Sequence, residues 1–279
     1  MSQTAPQRDS TDLPPEPAAS GRRRALVTGA SSGIGAAFAR RLARDDWDLV
    51  LVARRADALE ALAEELRAKR GVRVDVLPAD LTERADLARV EDALRSDPAL
   101  ELLVNNAGFG TECRFHEAEI ERETRVLRLN AEAVMRLAHA ALGPMVERGR
   151  GALINVSSGI GLMPAPFFAV YGATKAFVNA FSEAIAEELV GTGVRVQALC
   201  PGFTRTEFQQ VAGTDASRLP GFLWQDADQV VEASLDGLRR GALIVIPGLP
   251  NRIALAFRGA AARTLTRKAV GFLGRRGLL

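Results

Sequence analysis

Short apolar runs alternate along the chain with longer segments in which apolar residues recur every three or four positions. Apolar runs bounded by Gly, Asn, Asp or Pro are typical of buried strands, and the longer repeat is typical of amphipathic helices. The predicted strands cover residues 25–27, 49–53, 72–77, 102–104, 152–156, 194–200 and 243–247. The predicted helices cover residues 34–44, 56–69, 82–94, 117–148, 171–190 and 226–239. This alternation predicts an α/β fold, with a parallel sheet covered by helices on both faces.

The two ends of the chain differ from its middle. Residues 1–20 are rich in Pro, Ser and Asp, which predicts disorder, and we place the end of this segment at residue 22. One domain is expected over residues 23–250. Residues 251–279 form a basic tail with seven Arg or Lys residues and no Asp or Glu. The net charge of the chain is only +2, so the domain has an acidic excess, which argues against a nucleic-acid surface on it.

Composition narrows the class of protein. Hydrophobic residues make up 47% of the chain, enough for a substantial core. The only cysteines, Cys113 and Cys200, do not suggest a disulfide framework, so we expect a reducing cytoplasm. The two cysteines and two histidines lack ligand spacing, so no metal site is expected. No apolar run reaches the roughly 18 residues of a membrane span.

A glycine-rich turn, TGASSGIG at residues 28–35, follows the first strand and precedes the first helix. In that place glycines let the backbone approach a pyrophosphate, and the helix N-terminus favours its negative charge. The spacing G-x-x-x-G-x-G departs from the G-x-G-x-x-G dinucleotide fingerprint, and an ordinary Gly/Ser loop is the alternative. We favour a dinucleotide site because of the strand and helix around the turn.

The second strand ends in Arg54 and Arg55. An acidic residue there would bind the ribose hydroxyls of NAD, whereas a guanidinium offers charge and paired donors to the 2′-phosphate of NADP. The pair therefore favours NADP, although two solvated arginines before a helix are the alternative.

Polar residues follow several other strands. Asp80 comes after the third strand, where it could hold an adenine amino group, and the sequence NNAG at residues 105–108 follows the fourth. Asn130 lies inside a predicted helix although Asn is a mediocre helix former, so it could hold a water, break the helix locally or simply be exposed. The carboxyl ends of parallel strands share one sheet edge, so a single crevice could collect the residues at strand ends.

Tyr171 and Lys175 stand one helical turn apart on the same face of a predicted helix. A cation held beside a phenol favours the phenolate and lowers the pKa of the phenol, as a general acid/base near neutral pH requires. Ser158 follows the fifth strand and could steady a carbonyl oxygen beside that phenol. Taken alone, a Tyr and a Lys at this spacing fit a solvated helix face better than a catalytic pair, and the other motifs reverse that preference.

Together these motifs resemble the short-chain dehydrogenase/reductase family over residues 23–250. The resemblance rests on TGASSGIG, Asp80, NNAG, Asn130, Ser158, Tyr171, Lys175 and PGFTRT from Pro201. It implies a Rossmann-like, doubly wound sheet of about seven strands in the order 3-2-1-4-5-6-7. It also implies a homodimer or homotetramer through the helices near residues 117–148 and 171–190.

The resemblance also implies roles for individual residues. Tyr171 would be the acid/base, and Lys175 would lower its pKa and bind the nicotinamide ribose. Ser158 would polarise the substrate carbonyl, and Asn130 would hold a water in a proton relay. The residues expected to contact NADP(H) are Gly29, Ser31, Ser32, Gly33, Ile34, Gly35, Arg54, Arg55, Asp80, Leu81, Asn106, Ala107, Gly108, Tyr171, Lys175, Pro201, Gly202, Thr204 and Thr206.

Apolar residues near the predicted active site suggest an apolar substrate pocket. The candidates are Phe109, Met163, Phe168, Phe203, Phe208 and Trp224. VARR, ATKAFV and IPGLPNR further resemble a bacterial branch that is similar to reductases of β-keto esters in mycolate-type lipid synthesis. The expected activity is NADPH-dependent reduction of a ketone on an apolar or β-ketoacyl lipid substrate. The alternatives are an NADP-binding sensor without turnover and a dehydrogenase of small apolar alcohols.

The basic tail suggests a weak contact with anionic membranes, because apolar residues lie among its charges. We expect the full chain to pellet with anionic vesicles at low salt and to be released at high salt, which screens exposed charges. A chain ending at Pro250 should stay in solution. Equal co-sedimentation of the two proteins would instead favour a tail that folds back on the acidic domain.

Overall fold

The computed structural model describes residues 22–213, residue 221 and residues 224–248. Seven strands form one sheet, and every strand pair in it is parallel. The strands are β1 (Arg24–Thr28), β2 (Asp48–Ala53), β3 (Val74–Pro78), β4 (Leu100–Asn105), β5 (Gly151–Val156), β6 (Val194–Leu199) and β7 (Ile244–Val245). Their order, β3-β2-β1-β4-β5-β6-β7, confirms the predicted topology.

Helices connect the strands and cover both faces of the sheet. They are α1 (Gly33–Arg44), α2 (Ala56–Arg70), α3 (Arg84–Ser96), α4 (Ile120–Leu127), α5 (Val134–Glu147), α6 (Ala169–Glu188), α7 (Phe208–Ala212) and α8 (Ala227–Arg239). The predicted disordered segment, apart from Arg22, and the predicted tail lie outside the described residues.

The core has two layers because the sheet is buried on both faces. On one side Phe38 and Leu42 of α1 pack with Leu59 of α2 and Val230 of α8. On the other side apolar residues of α3, α5 and α6 pack together, among them Leu137. The strands accordingly read as continuous apolar runs, as expected for a parallel sheet covered on both faces.

The largest differences between the structure and the prediction lie in three places. The helix predicted over residues 117–148 is divided, with a π-helical turn, Arg128–Ala133, between α4 and α5. The strand predicted over residues 243–247 is reduced to Ile244–Val245. The five-residue helix α7 was not predicted, because so short an element shows no clear periodicity.

A series of hydrogen bonds between buried side chains crosses the middle of the fold from β4 to α6. The Asn105 amide donates to Asn155 Oδ1 at 3.0 Å, and Asn155 donates to Ser182 Oγ at 2.9 Å. Ser182 in turn donates to the Val178 carbonyl at 2.7 Å. These hydrogen bonds fix α6, which carries Tyr171 and Lys175, against the two central strands.

We expect Ser182→Ala to lower the free energy of unfolding by about 1–3 kcal/mol, because it leaves the Asn155 amide buried without its partner. Ser96→Ala is the matched control. Ser96 also donates to the carbonyl four residues earlier, at 2.7 Å, but it is exposed, so its loss should cost less than about 0.5 kcal/mol. Urea unfolding measures the stability of both variants. An equal loss of unfolding free energy in the two would contradict a stabilising role of the buried hydrogen bonds.

Candidate active site

The glycine turn between β1 and α1 lies against the NNAG segment after β4. Thr28 Oγ1 accepts hydrogen bonds from the backbone N–H groups of Asn106 and Ala107, at 2.9 and 3.0 Å. The Asn106 amide donates to the Thr28 carbonyl at 2.9 Å. Gly29 has a φ of +66°, and a Cβ there would lie 2.8 Å from Asn106 Nδ2. Two motifs that are far apart in sequence therefore form one compact unit.

The start of α1 fits an anionic group. Its N-cap, Ser32, makes no side-chain capping hydrogen bond, and the first turn has no acidic residue. The first N–H groups of a helix have no intrahelical partner, and together with the helix dipole they favour negative charge. A Cβ on Gly35 would lie 2.3 Å from the Gly29 carbonyl oxygen, so only glycine permits this close turn. These features suit a pyrophosphate.

Arg54 and Arg55, at the end of β2, have different surroundings. Arg54 is exposed and makes no hydrogen bond or ion pair with any residue that the structure describes. Arg55 binds the Glu207 carboxylate at 2.9 Å and Ser31 Oγ at 3.2 Å. Among the residues that the structure describes, none bonds to a donor of Arg54, whereas Arg55 is already bound to Glu207 and Ser31.

Asp80 lies at the carboxyl end of β3 beside buried Leu81, as predicted. Burial acts to raise the pKa of Asp80, but hydrogen bonds from Thr82 and the charges of Arg54 and Arg125 outweigh it and lower the pKa. Asp80 Oδ1 accepts from the Thr82 hydroxyl at 2.7 Å, and Oδ2 lies 3.7 Å from Arg125. The carboxylate is therefore ionised at neutral pH and can accept a hydrogen bond from an amino group.

Tyr171 lies in the first turn of α6 and is 7% exposed. Its ring centroid lies 5.3 Å from that of Phe208 in α7 and 6.5 Å from that of Phe168. Burial raises the pKa of the phenol to about 12, and a hydrogen bond with Ser158 acts in the opposite direction. The predicted proximity of Ser158 and Tyr171 is therefore present.

The predicted effect of Lys175 on Tyr171 is wrong for this structure. Lys175 Nζ lies 5.7 Å from the centroid of the Tyr171 ring and donates to the Val156 carbonyl at 2.8 Å. The ammonium thus bonds to the end of β5 rather than to the phenol. Burial therefore has the larger influence on the pKa of the phenol. Burial likewise lowers the pKa of Lys175, to about 8.

Asn130 lies in the π-helical turn and is fully buried, which excludes an exposed side chain and agrees with a local break of the helix. Its amide donates to the Phe109 carbonyl at 2.9 Å and to Thr174 Oγ1 at 3.2 Å. Asn130 Oδ1 accepts from the Phe109 backbone N–H at 3.2 Å. The amide thus fixes the NNAG loop beside α6, and a water contact stays a prediction.

The segment PGFTRT after β6 closes the crevice. The Gly159 N–H donates to the Pro201 carbonyl at 2.9 Å, which joins this segment to the one after β5. Thr204 is buried, and its hydroxyl donates to the Gly202 carbonyl at 3.1 Å. A Cβ on Gly33 would lie 3.0 Å from Thr206 Cγ2, so Thr206 lies directly over the glycine turn.

The apolar candidates fall into two groups. Phe168 and Phe208 pack against Tyr171, as described above. Phe203 and Trp224 contact each other instead, with ring centroids 5.8 Å apart. The two remaining candidates, Phe109 and Met163, are half-buried.

Sequence reasoning missed several residues that shape the site. Thr174 connects Asn130 to the Tyr171 carbonyl, to which its hydroxyl donates at 2.7 Å. Gly110 passes close to the Tyr171 ring, since a Cβ there would lie 3.1 Å from that ring. Glu207 binds Arg55. The spacing of Thr174, three residues after Tyr171, was a usable signal, whereas nothing local pointed to Glu207.

In the described part of the chain, no group of three or more His, Cys, Asp or Glu side chains could hold a metal ion. Within the same residues, no helix is both long and apolar enough to cross a bilayer.

The sequence is similar to a known protein family and to relatives within it. The model of the short chain dehydrogenase family matches residues 23–217. A very-long-chain 3-oxoacyl-CoA reductase-like protein of Arabidopsis thaliana is 33% identical over 201 residues, which are 70% of this chain and 64% of the plant protein. The match thus spans less than two thirds of that relative.

Two solved structures are similar over nearly the whole chain. A short-chain dehydrogenase from Sphingobium yanoikuyae, in complex with NADPH, is 42% identical with a TM-score of 0.78, covering 92% of this chain and 94% of that one. A bulky-bulky ketone specific alcohol dehydrogenase from Comamonas testosteroni is 37% identical with a TM-score of 0.74, covering 96% and 94%.

Proposed function

The chain belongs to the short-chain dehydrogenase family, and we propose that it is an NADP(H)-dependent oxidoreductase that reduces a ketone to a secondary alcohol. The observation that carries the proposal is the convergence of the glycine turn, Arg54, Ser158, Tyr171 and Lys175 on one edge of the sheet. A sensor without turnover would need only the nucleotide-binding part of this set.

The residues present fit a bound NADP(H). The start of α1 and the close turn at Gly29 and Gly35 suit the pyrophosphate, and the exposed Arg54 offers its guanidinium to the 2′-phosphate. The relative from Sphingobium yanoikuyae, which is in complex with NADPH, supports the same assignment. When bound, the cofactor supplies a hydride to the carbonyl carbon.

The chain's own residues handle the proton and the charge on oxygen. Ser158 donates a hydrogen bond to the carbonyl oxygen of the substrate, and Tyr171 transfers its phenolic proton to that oxygen as negative charge develops there. A phenol with a pKa raised to about 12 is protonated at neutral pH, which suits a proton donor. Lys175 holds the nicotinamide ribose with its ammonium, which lies at the end of β5 beside the ring of Tyr171.

The substrate that the site supports best is an apolar ketone, and we favour a β-ketoacyl lipid. Phe168 and Phe208 line the crevice beside Tyr171 with aromatic surface. The names of relatives fit an apolar ketone, since one is a 3-oxoacyl-CoA reductase-like protein and another is specific for bulky ketones. The β-keto ester branch belongs to this proposal, and oxidation of a small apolar alcohol at the same site is the alternative.

Two further assignments concern partners. A homodimer or homotetramer is supported by large apolar side chains that are exposed on α4, α5 and α6, such as Leu127, Met135 and Phe177, which are 54%, 43% and 39% exposed. A monomer in analytical ultracentrifugation would contradict it. The proposed membrane contact rests on the sequence of residues 251–279 and on no described residue.

We expect Tyr171→Phe to lower ketone reduction by at least about 100-fold, because it keeps the ring but removes the proton donor. Loss of NADPH absorbance with a panel of β-keto esters and bulky apolar ketones measures the activity. NADPH binding by the variant, measured by calorimetry, is the control for folding. A variant that binds NADPH and turns over normally would show that another group is the acid.

We expect Arg54→Asp to weaken NADPH binding and to narrow or reverse the preference over NADH, because a carboxylate repels the 2′-phosphate. Titration with both cofactors measures the change. Arg44→Asp is the matched control. Arg44 is exposed at the C-terminal end of α1, away from the glycine turn, and the variant alters the net charge equally. Unchanged NADPH affinity in Arg54→Asp would place the 2′-phosphate elsewhere.

A further inference from the structure

An acidic residue lies within the proposed binding region for the 2′-phosphate. Glu207 comes directly before α7, and its carboxylate accepts a hydrogen bond from Arg55 Nη2 at 2.9 Å. Arg55 also donates to Ser31 Oγ at 3.2 Å and to the Ser31 carbonyl at 3.4 Å. The pair therefore connects the end of β2, the glycine turn and the segment after β6.

Glu207 is ionised and close to the glycine turn. Hydrogen bonds from Arg55 and Ser32 lower the pKa of its carboxyl group, so it carries a negative charge at neutral pH. Its neighbour Thr206 lies over Gly33, where the pyrophosphate is expected. A phosphate that entered this region would meet an anion already bound to one of the two arginines.

We propose that Glu207 is a specificity-determining residue that competes with the 2′-phosphate of NADP(H) for Arg55. The inference rests on the proposed function, since it concerns the cofactor of that site. Arg54 makes no hydrogen bond or ion pair with a described residue, although its charge acts on Asp80. Arg55 Nη2 is bound to the Glu207 carboxylate, so a phosphate gains that donor only by displacing Glu207. Glu207 thereby reduces the preference for NADPH over NADH that two free arginines would give.

The size of the effect follows from the exposure of the pair. The side chains of Arg55 and Glu207 are 51% and 53% exposed, so solvent screens their attraction. Exposed ion pairs contribute little interaction free energy. The loss of one corresponds to a change of roughly two- to fivefold in an equilibrium constant. A phosphate with more charge than a carboxylate can therefore displace Glu207, and the displacement lowers the affinity only a few-fold.

The test compares cofactor preference in Glu207→Gln, which keeps the shape of the side chain and removes its charge. We expect the ratio of NADPH to NADH affinity, measured by calorimetry at low salt, to rise roughly two- to fivefold. Glu65→Gln is the matched control, because Glu65 also binds an exposed arginine, Arg40, at 3.0 Å, on the surface between α1 and α2. The ratio of NADPH to NADH affinity in Glu65→Gln should equal that of the wild-type protein.

A second pair of variants tests the route through Arg55. In an Arg55→Gln background, Glu207→Gln should raise the ratio less than it does in the wild-type background. An unchanged or lower ratio in Glu207→Gln would overturn the inference, and so would an equal gain in both backgrounds. Wild-type protein that binds NADPH separates such a failure from failure of the proposed function, whereas wild-type protein that binds neither cofactor would overturn both.

Discussion

The buried position of Lys175 against the end of β5 is the constraint on which the rest of the site depends. Its ammonium donates to the Val156 carbonyl at 2.8 Å, and its own carbonyl accepts from the Ser157 hydroxyl at 2.9 Å. A Cβ on Gly161 would lie 2.5 Å from the Lys175 carbonyl carbon, so the approach leaves no room for a side chain. These contacts fix α6 along its axis and hence place Tyr171 one turn earlier.

Exclusion of water from this region acts on the two groups in opposite directions. Burial disfavours the charged form of any group, so it raises the pKa of the phenol and lowers that of the ammonium. Protein groups supply hydrogen bonds in this region: Val156 accepts from Lys175, and Phe109 and Thr174 bond to Asn130. A site arranged in this way favours the neutral phenol before reaction and meets the new charge with fixed dipoles.

The resemblance to the family was sufficient for the sheet order. The motifs also predicted that their residues would meet at one edge of the sheet, because they consist of residues whose conformational effects are local. Glycines permit a close turn wherever they occur, and Tyr and Lys at helical spacing share a face in any helix. The pKa of Tyr171 was predicted in the wrong direction because it is dominated by burial of the phenol in the folded chain, which the spacing to Lys175 does not show. The Arg55–Glu207 pair was equally hidden, since it joins segments that approach each other only in the folded chain.

The π-helical turn at Arg128–Ala133 is a place where the helix can lose one residue without disturbing the core. A π-helical turn accommodates one more residue than an α-helical one, so loss of that residue would restore an α-helical turn and keep the flanking helix in register. Leu137 and Met145 would then keep their places in the core layer. A deletion elsewhere in the helix would instead rotate the residues beyond it by about 100°. Asn130 belongs to the turn and bonds to Phe109, so loss of the extra residue would alter the site and leave the core intact.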